Sequence, residues 1–165
     1  GEEKETATEA DRISLATVCM VAGTADAAEM LHMMSTSTQH AGRGSDIATS
    51  KLLDIMTEAK TDSFATNRYL LQNVNRHKTQ TVGKHRIFPH RCHMELDYYF
   101  SLALLLVLRD YDYDVNDTSV TLFPHFAPKM FNKQGNVESN VSSAFNAWLD
   151  FYWQMMLDYI NGGLC

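Results

Sequence analysis

The chain has 165 residues, 45% of them apolar and 21% charged, which is ordinary globular composition and excludes a disordered chain. Its three prolines and eight glycines are too few to punctuate an all-β protein, which needs a turn about every eight to twelve residues. A formal net charge of −6 excludes a general nucleic-acid binder, since neutralising phosphates takes a surplus of Lys and Arg.

The first ten residues carry Glu2, Glu3, Glu5 and Glu9 and read as an acidic, solvated tail, leaving 11–165 as a single domain. A first helix is expected from Asp11 to Thr36. Ile13, Ala16, Met20, Gly23, Ala27, Met30 and Met34 recur at spacings of three and four, with Gly23 and Ala27 small enough for close helix approach. After the break at 40–44, a second helical segment is expected from Asp46 to His77, with Ala48, Leu52, Ile55 and Ala59 on one face and Tyr69, Leu70 and Val74 resuming the pattern. One unbroken helix there would be about 48 Å long, so a break at Thr61-Asp62-Ser63 is favoured.

The third helix is expected to follow Pro89 and to end near Asp114. Leu96 to Leu108 reads LDYYFSLALLLVL, apolar on nearly every face, and therefore should be the central and most buried helix. It is shorter than the roughly 20 apolar residues a membrane span needs. The segment 115–136 is the one long connection. Its Phe123, Phe126, Met130 and Phe131 suggest a flap packed by its own side chains over the bundle. The fourth helix, 137–160, presents Val141, Phe145, Trp148, Tyr152, Met155 and Tyr159 on one face and stops at Gly162-Gly163. Together these make an all-α protein, read as an up-down-up-down four-helix bundle with a long crossover loop before the last helix.

Catalytic motifs are missing from the sequence. It has no G-x-S-x-G elbow, no Cys-x-x-Cys and no glycine-rich phosphate loop. Glu29 and His32 have the Glu-x-x-His spacing of di-iron bundles, but no second such pair exists, so the pair reads as partly exposed polar residues. The alternating acids from Asp110 to Asp117 lack the Gly and Glu of a calcium loop; Val115 and Thr121 stand there instead. His85, His90, Cys92 and His93 are spaced unlike any usual zinc site. No cofactor and no metal are expected.

Charge layout carries more information. Arg76, His77, Lys78, Lys84, His85, Arg86, His90 and Arg91 lie in a stretch without Asp or Glu, and they form a candidate binding patch for an acidic protein surface or an anionic glycan. The acidic run at 110–117 lies at the other end of the third helix, so the molecule is expected to be bipolar. Phe151 and Trp153 fall off the main stripe of the fourth helix and are candidate interface residues, against the flap or against another chain.

Three features point to a secreted, oxidising setting. The chain starts at Gly1, two N-glycosylation tripeptides begin at Asn116 and Asn140, and Cys165 is the last residue. In the bundle as read, Cys92 and Cys165 meet at one end, giving an expected Cys92–Cys165 disulfide with Cys19 reduced. Closing that loop of roughly 70 residues would contribute about 4 kcal/mol. The rival pairing is Cys19–Cys92, with Cys165 bridging two copies. A terminal Cys165 after the fourth helix, with Cys92 near the start of the third, resembles helical cytokines in layout, without a shared motif. The functional expectation is a non-enzymatic secreted recognition protein. The alternatives are a carrier of a small apolar ligand or haem and a structural subunit of a homo-oligomer.

Overall fold

A computed structural model describes residues 8–40, 47, 50–58, 69–75, 82–90, 92–110, 112–113, 121–126, 128 and 140–162 of the chain. Within them the protein is mostly helical, with four α-helices and a small antiparallel sheet. The helices are α1 (Glu9–Ala22), α2 (Ala25–His40), α3 (Tyr98–Leu108) and α4 (Asn140–Ile160). The strands β1 (Ile55–Glu58), β2 (Tyr69–Asn75) and β3 (Val82–Arg86) pair in chain order.

Helix α1 begins inside the stretch read as a tail. Thr8 caps it: its hydroxyl accepts from the Asp11 amide at 3.2 Å while the Asp11 carboxylate accepts from the Thr8 amide at 2.9 Å. This reciprocal box satisfies two amides that have no partner within the helix. The expected single helix over 11–36 is two helices. Gly23 takes φ +65°, a left-handed conformation that glycine adopts without a Cβ clash and that ends α1. Thr24 then caps α2, its hydroxyl accepting from the Ala27 amide at 3.1 Å. Gly23 thus serves as a helix stop, and the apolar periodicity that ran through it belongs to two helices in turn.

The second expected helix is replaced by sheet. Ile55 pairs with Gln72 and Leu71 with Arg86, both antiparallel. Ile55, Thr57, Tyr69 and Val74 are β-branched or aromatic, and Asn73 and Asn75 are poor helix formers, so local preference favours strand once a partner is present. That partner, β3, came from a stretch read as a basic loop. Tyr99 ties the sheet to α3: its hydroxyl donates to the Ile87 carbonyl at 2.7 Å and accepts from the Leu70 amide at 2.9 Å.

Helix α3 begins at Tyr98, eight residues later than a start just after Pro89. Asp97 is its cap, one carboxylate oxygen accepting from the Phe100 amide and the other from the His90 amide, each at 3.0 Å. It is not the central helix. Val107 is half exposed, whereas every residue of α2 from Ala27 to Thr36 is buried. Helix α2 supplies both halves of the core. Ala28 and Met33 join Ile87, Tyr98, Leu102, Leu105, Phe123 and Phe126, while Ala27, Met30, Leu31 and Met34 join Leu15, Val18, Cys19, Tyr152 and Met156. It packs most extensively on α3, and α1 lies between α2 and α4.

Phe123 and Phe126 are wholly buried, as a self-packed flap requires. Met130 and Phe131 lie outside the described residues. The flap is stitched to the chain ahead of the sheet, the Leu122 amide donating to the Ser50 carbonyl at 3.0 Å.

Candidate functional site

Two places on α2 and its neighbours hold the chemistry. One is buried. Glu29, read from the sequence as part of a partly exposed pair, is fully enclosed. Its carboxylate accepts from the Arg109 guanidinium, from the His125 amide at 3.0 Å and from the Phe126 amide at 3.1 Å. One side chain thereby fastens the end of α3 and the flap to α2. Burial pushes the Glu29 carboxyl above its usual range, against the downward pull of those three donors.

His32 lies one turn further along and is also enclosed. Its Nδ1 is 2.8 Å from the Ser101 hydroxyl oxygen, and that hydroxyl donates its single hydrogen to the Tyr98 carbonyl at 3.0 Å. The imidazole meets the Tyr98 ring edge-on, with centroids 4.7 Å apart, and stacks on Phe123 at 5.8 Å. A second chain of buried polar groups continues from Tyr98, whose hydroxyl donates to the Gln72 side-chain oxygen at 2.9 Å; the Gln72 amide donates to the Ser50 hydroxyl at 3.0 Å. Ser35 and Thr36 donate to carbonyls one turn back, at Leu31 and His32. These groups fix the geometry of α2 against α3 and the sheet.

The other place is open. A groove of about 580 Å³ lies between α1 and α4, beside the α1–α2 turn. Val18, Val21 and Ala22 form one wall, and Phe151, Tyr152 and Met155 form the other. Val21 is 62% and Phe151 61% exposed, so the lips of the groove are apolar surface in contact with water. From the α1–α2 turn and the start of α2, Thr24 and Asp26 also line it. Asp26 bridges the two places: one oxygen lies 3.5 Å from Arg109 Nη2 and the other 3.5 Å from His125 Nδ1. Burial pushes the Tyr152 hydroxyl up to about 12, so at neutral pH it is an uncharged phenol. The Met30, Met33 and Met34 side chains are packed core, not part of the groove.

The residues singled out in the sequence are not gathered into this site. In the basic patch, Arg76, His77, Lys78 and Arg91 lie outside the described residues, and Lys84 and His85 occupy β3. Arg86 is exposed, whereas His90 is partly buried, its Nδ1 accepting from the His93 amide at 3.0 Å. Phe151 and Trp153 are two positions apart and so point about 200° apart around α4. Only Phe151 lines the groove. Trp153, 39% exposed, continues instead into a separate stripe with Leu157 and Ile160.

Cys19 is buried and Cys92 exposed, and both are free thiols; Cys165 lies outside the described residues. No disulfide joins described cysteines, and the helix order from which Cys92–Cys165 was inferred has given way to a sheet between α2 and α3. Burial raises the Cys19 thiol to about 12, so it stays protonated and behaves as a small apolar side chain. Asn116 lies outside the described residues, and Asn140 is the first residue of α4. Among the described residues no three His, Cys, Asp or Glu side chains converge as a metal site, and no helix is long and apolar enough to cross a membrane.

No protein-family model, curated protein or solved structure matches the chain.

Proposed function

We propose that this chain is a non-enzymatic recognition protein that holds its partner in the groove between α1 and α4. The observation that carries the reading is the groove itself. Its volume falls within the roughly 300–1,000 Å³ of ligand-binding clefts, and its lining is mostly apolar, with Thr17, Thr24 and Asp26 as polar groups. Val21 and Phe151 at its lips are exposed apolar side chains on facing helices, an arrangement that marks contact surfaces. The buried Glu29 and His32 sites are occupied by the protein's own groups, which favours a structural role for them and binding elsewhere. The same volume suits the second reading, a carrier of a small apolar ligand held between α1 and α4. An extracytoplasmic setting, inferred from the sequons, belongs to this proposal.

An apolar fluorescent dye whose emission rises out of water tests the reading. The wild-type protein should bind it at one site, and Val21→Glu should abolish that binding while leaving the far-ultraviolet circular dichroism unchanged. Equal dye binding by both proteins would place the apolar contact surface elsewhere and remove the proposal.

A further inference from the structure

Helix α4 turns a second apolar line to water, away from the groove. Trp153, Leu157 and Ile160 follow at spacings of four and three, and so fall within about 60° of its circumference. All three are exposed, Ile160 at 67%. Asp150, Gln154 and Asp158, also exposed and four residues apart, form the adjoining line. The two aspartates are the only charged residues of the helix.

Neither charge is answered by a cation. Asp158 accepts from the Gln154 side-chain amide at 2.9 Å, a neutral donor. Among the described residues no Lys, Arg or His pairs with either aspartate. Asp158 also stands in the last turn of α4, where the helix dipole gathers negative charge and favours a cation; that turn carries none. An acid at that end and three large apolar side chains in water each work against the chain on its own. Such departures from what the fold prefers locally collect at functional surfaces.

We propose that this face of α4 docks a basic amphipathic helix of a partner protein. The partner's apolar side covers Trp153, Leu157 and Ile160, and its Lys or Arg side chains reach Asp150, Asp158 and the last carbonyls of α4. The acidic line selects this partner. Two copies meeting through the face would bring four carboxylates together with no cation between them, and an anionic lipid surface would be repelled. A helix suits the face better than a strand. The flank of a helix offers no free backbone groups for an extended segment to pair with, whereas a four-and-three spacing is the seam along which a second helix packs. Trp153 points about 200° away from Phe151 around α4, so the surface is separate from the groove.

Three fluorescein-labelled synthetic peptides, titrated into the full chain and read by anisotropy, test it: LKKLLKKLLKKLLK, its counterpart with Glu for every Lys, and its counterpart with Ala for every Leu. Only the first should bind, and more weakly as salt rises from about 50 to about 500 mM and screens the rim charges. Trp153→Ala should weaken binding about ten-fold. Asp150→Asn together with Asp158→Asn should weaken it about five-fold and remove most of the salt dependence. Ile160→Ser, at a position 67% exposed, should also weaken it and keeps the test decisive if Trp153→Ala does not fold. Phe151→Ala should bind as the wild type does. Binding lost in Phe151→Ala but kept in Trp153→Ala would move the peptide to the groove and overturn the proposal. No binding of the Lys peptide at low salt, or equal binding of the Glu peptide, would overturn it as well. A Trp153-dependent dimer in sedimentation would give the face to a second copy instead.

Discussion

Where α2 meets α3, a glutamate, a histidine and a serine are wholly enclosed, each held by hydrogen bonds. Where α1 meets α4, valine and phenylalanine side chains lie more than half in water. The first region hides its polar groups and the second displays its apolar ones. Hydrogen bonds have direction and hydrophobic contacts do not, so the polar seam sets one arrangement of helices, strand and flap. The groove leaves apolar side chains in water. In the reading proposed above, the seam holds the fold and the groove receives a partner, with Asp26 touching both.

Removing the clasp should produce the largest effect on that contrast. Glu29→Ala leaves a mostly buried guanidinium and two amides without their acceptor, and the expected loss is about 3–5 kcal/mol of unfolding free energy, read by urea denaturation. A loss below 1 kcal/mol would mean that the seam is held by its apolar contacts alone.

A smaller effect is expected from pH. Burial raises the folded Glu29 carboxyl above its unfolded value of 4.5, so the folded state holds that proton to higher pH than the unfolded state does. The stability linked to that proton is fully present below about 4.5 and is lost as pH rises through the folded value. The difference in unfolding free energy between wild type and Glu29→Gln should therefore shift in favour of the variant as pH rises from 4.5. Parallel pH profiles for the two proteins would show that Glu29 titrates alike in both states.

The smallest change in stability should come from the groove. Phe151→Ala removes a large side chain that is mostly in water, so the midpoint of unfolding should move by no more than about 0.5 kcal/mol. A loss of 2 kcal/mol or more would make Phe151 part of the core and dissolve the contrast between the two sides.

The sequence made the helical character of the chain plain, and the flap as well, because Phe123 and Phe126 in a polar stretch had to be buried. It misled on which helix is central. LALLLVL in α3 is the most apolar run, yet Val107 is solvent-facing, while α2 carries Glu29, His32, Ser35 and Thr36 into the core. Ala27, Ala28, Met30, Leu31, Met33 and Met34 leave a gap of about 140° around the helix, and Glu29, His32 and Thr36 fall in it, so periodicity alone marked that face as polar and exposed. What the sequence could not show was how those groups are satisfied, since the partners of Glu29 lie on Arg109, His125 and Phe126. The sheet was hidden for a related reason: Ile55 and Leu70 fit either period, and only the pairing of β2 with β3 decides between them. The groove was half legible. Phe151 stood out as off the main stripe, but its opposite wall, Val18 and Val21, depends on the break at Gly23, which was read as part of a continuous helix.

The reach of the Glu29 clasp along the chain also bears on how the protein is made. Its acceptor atoms belong to residue 29, while the donors that complete it lie 80, 96 and 97 positions later. On the ribosome the carboxylate emerges first and remains hydrated while α2, the sheet and α3 are synthesised. Only when Phe126 has cleared the exit tunnel can water around Glu29 be exchanged for protein donors. Such distant closures form slowly compared with a helix turn. The last step in closing the polar seam is therefore set by synthesis order, and α2 must wait with a charge on its most buried face until the flap arrives.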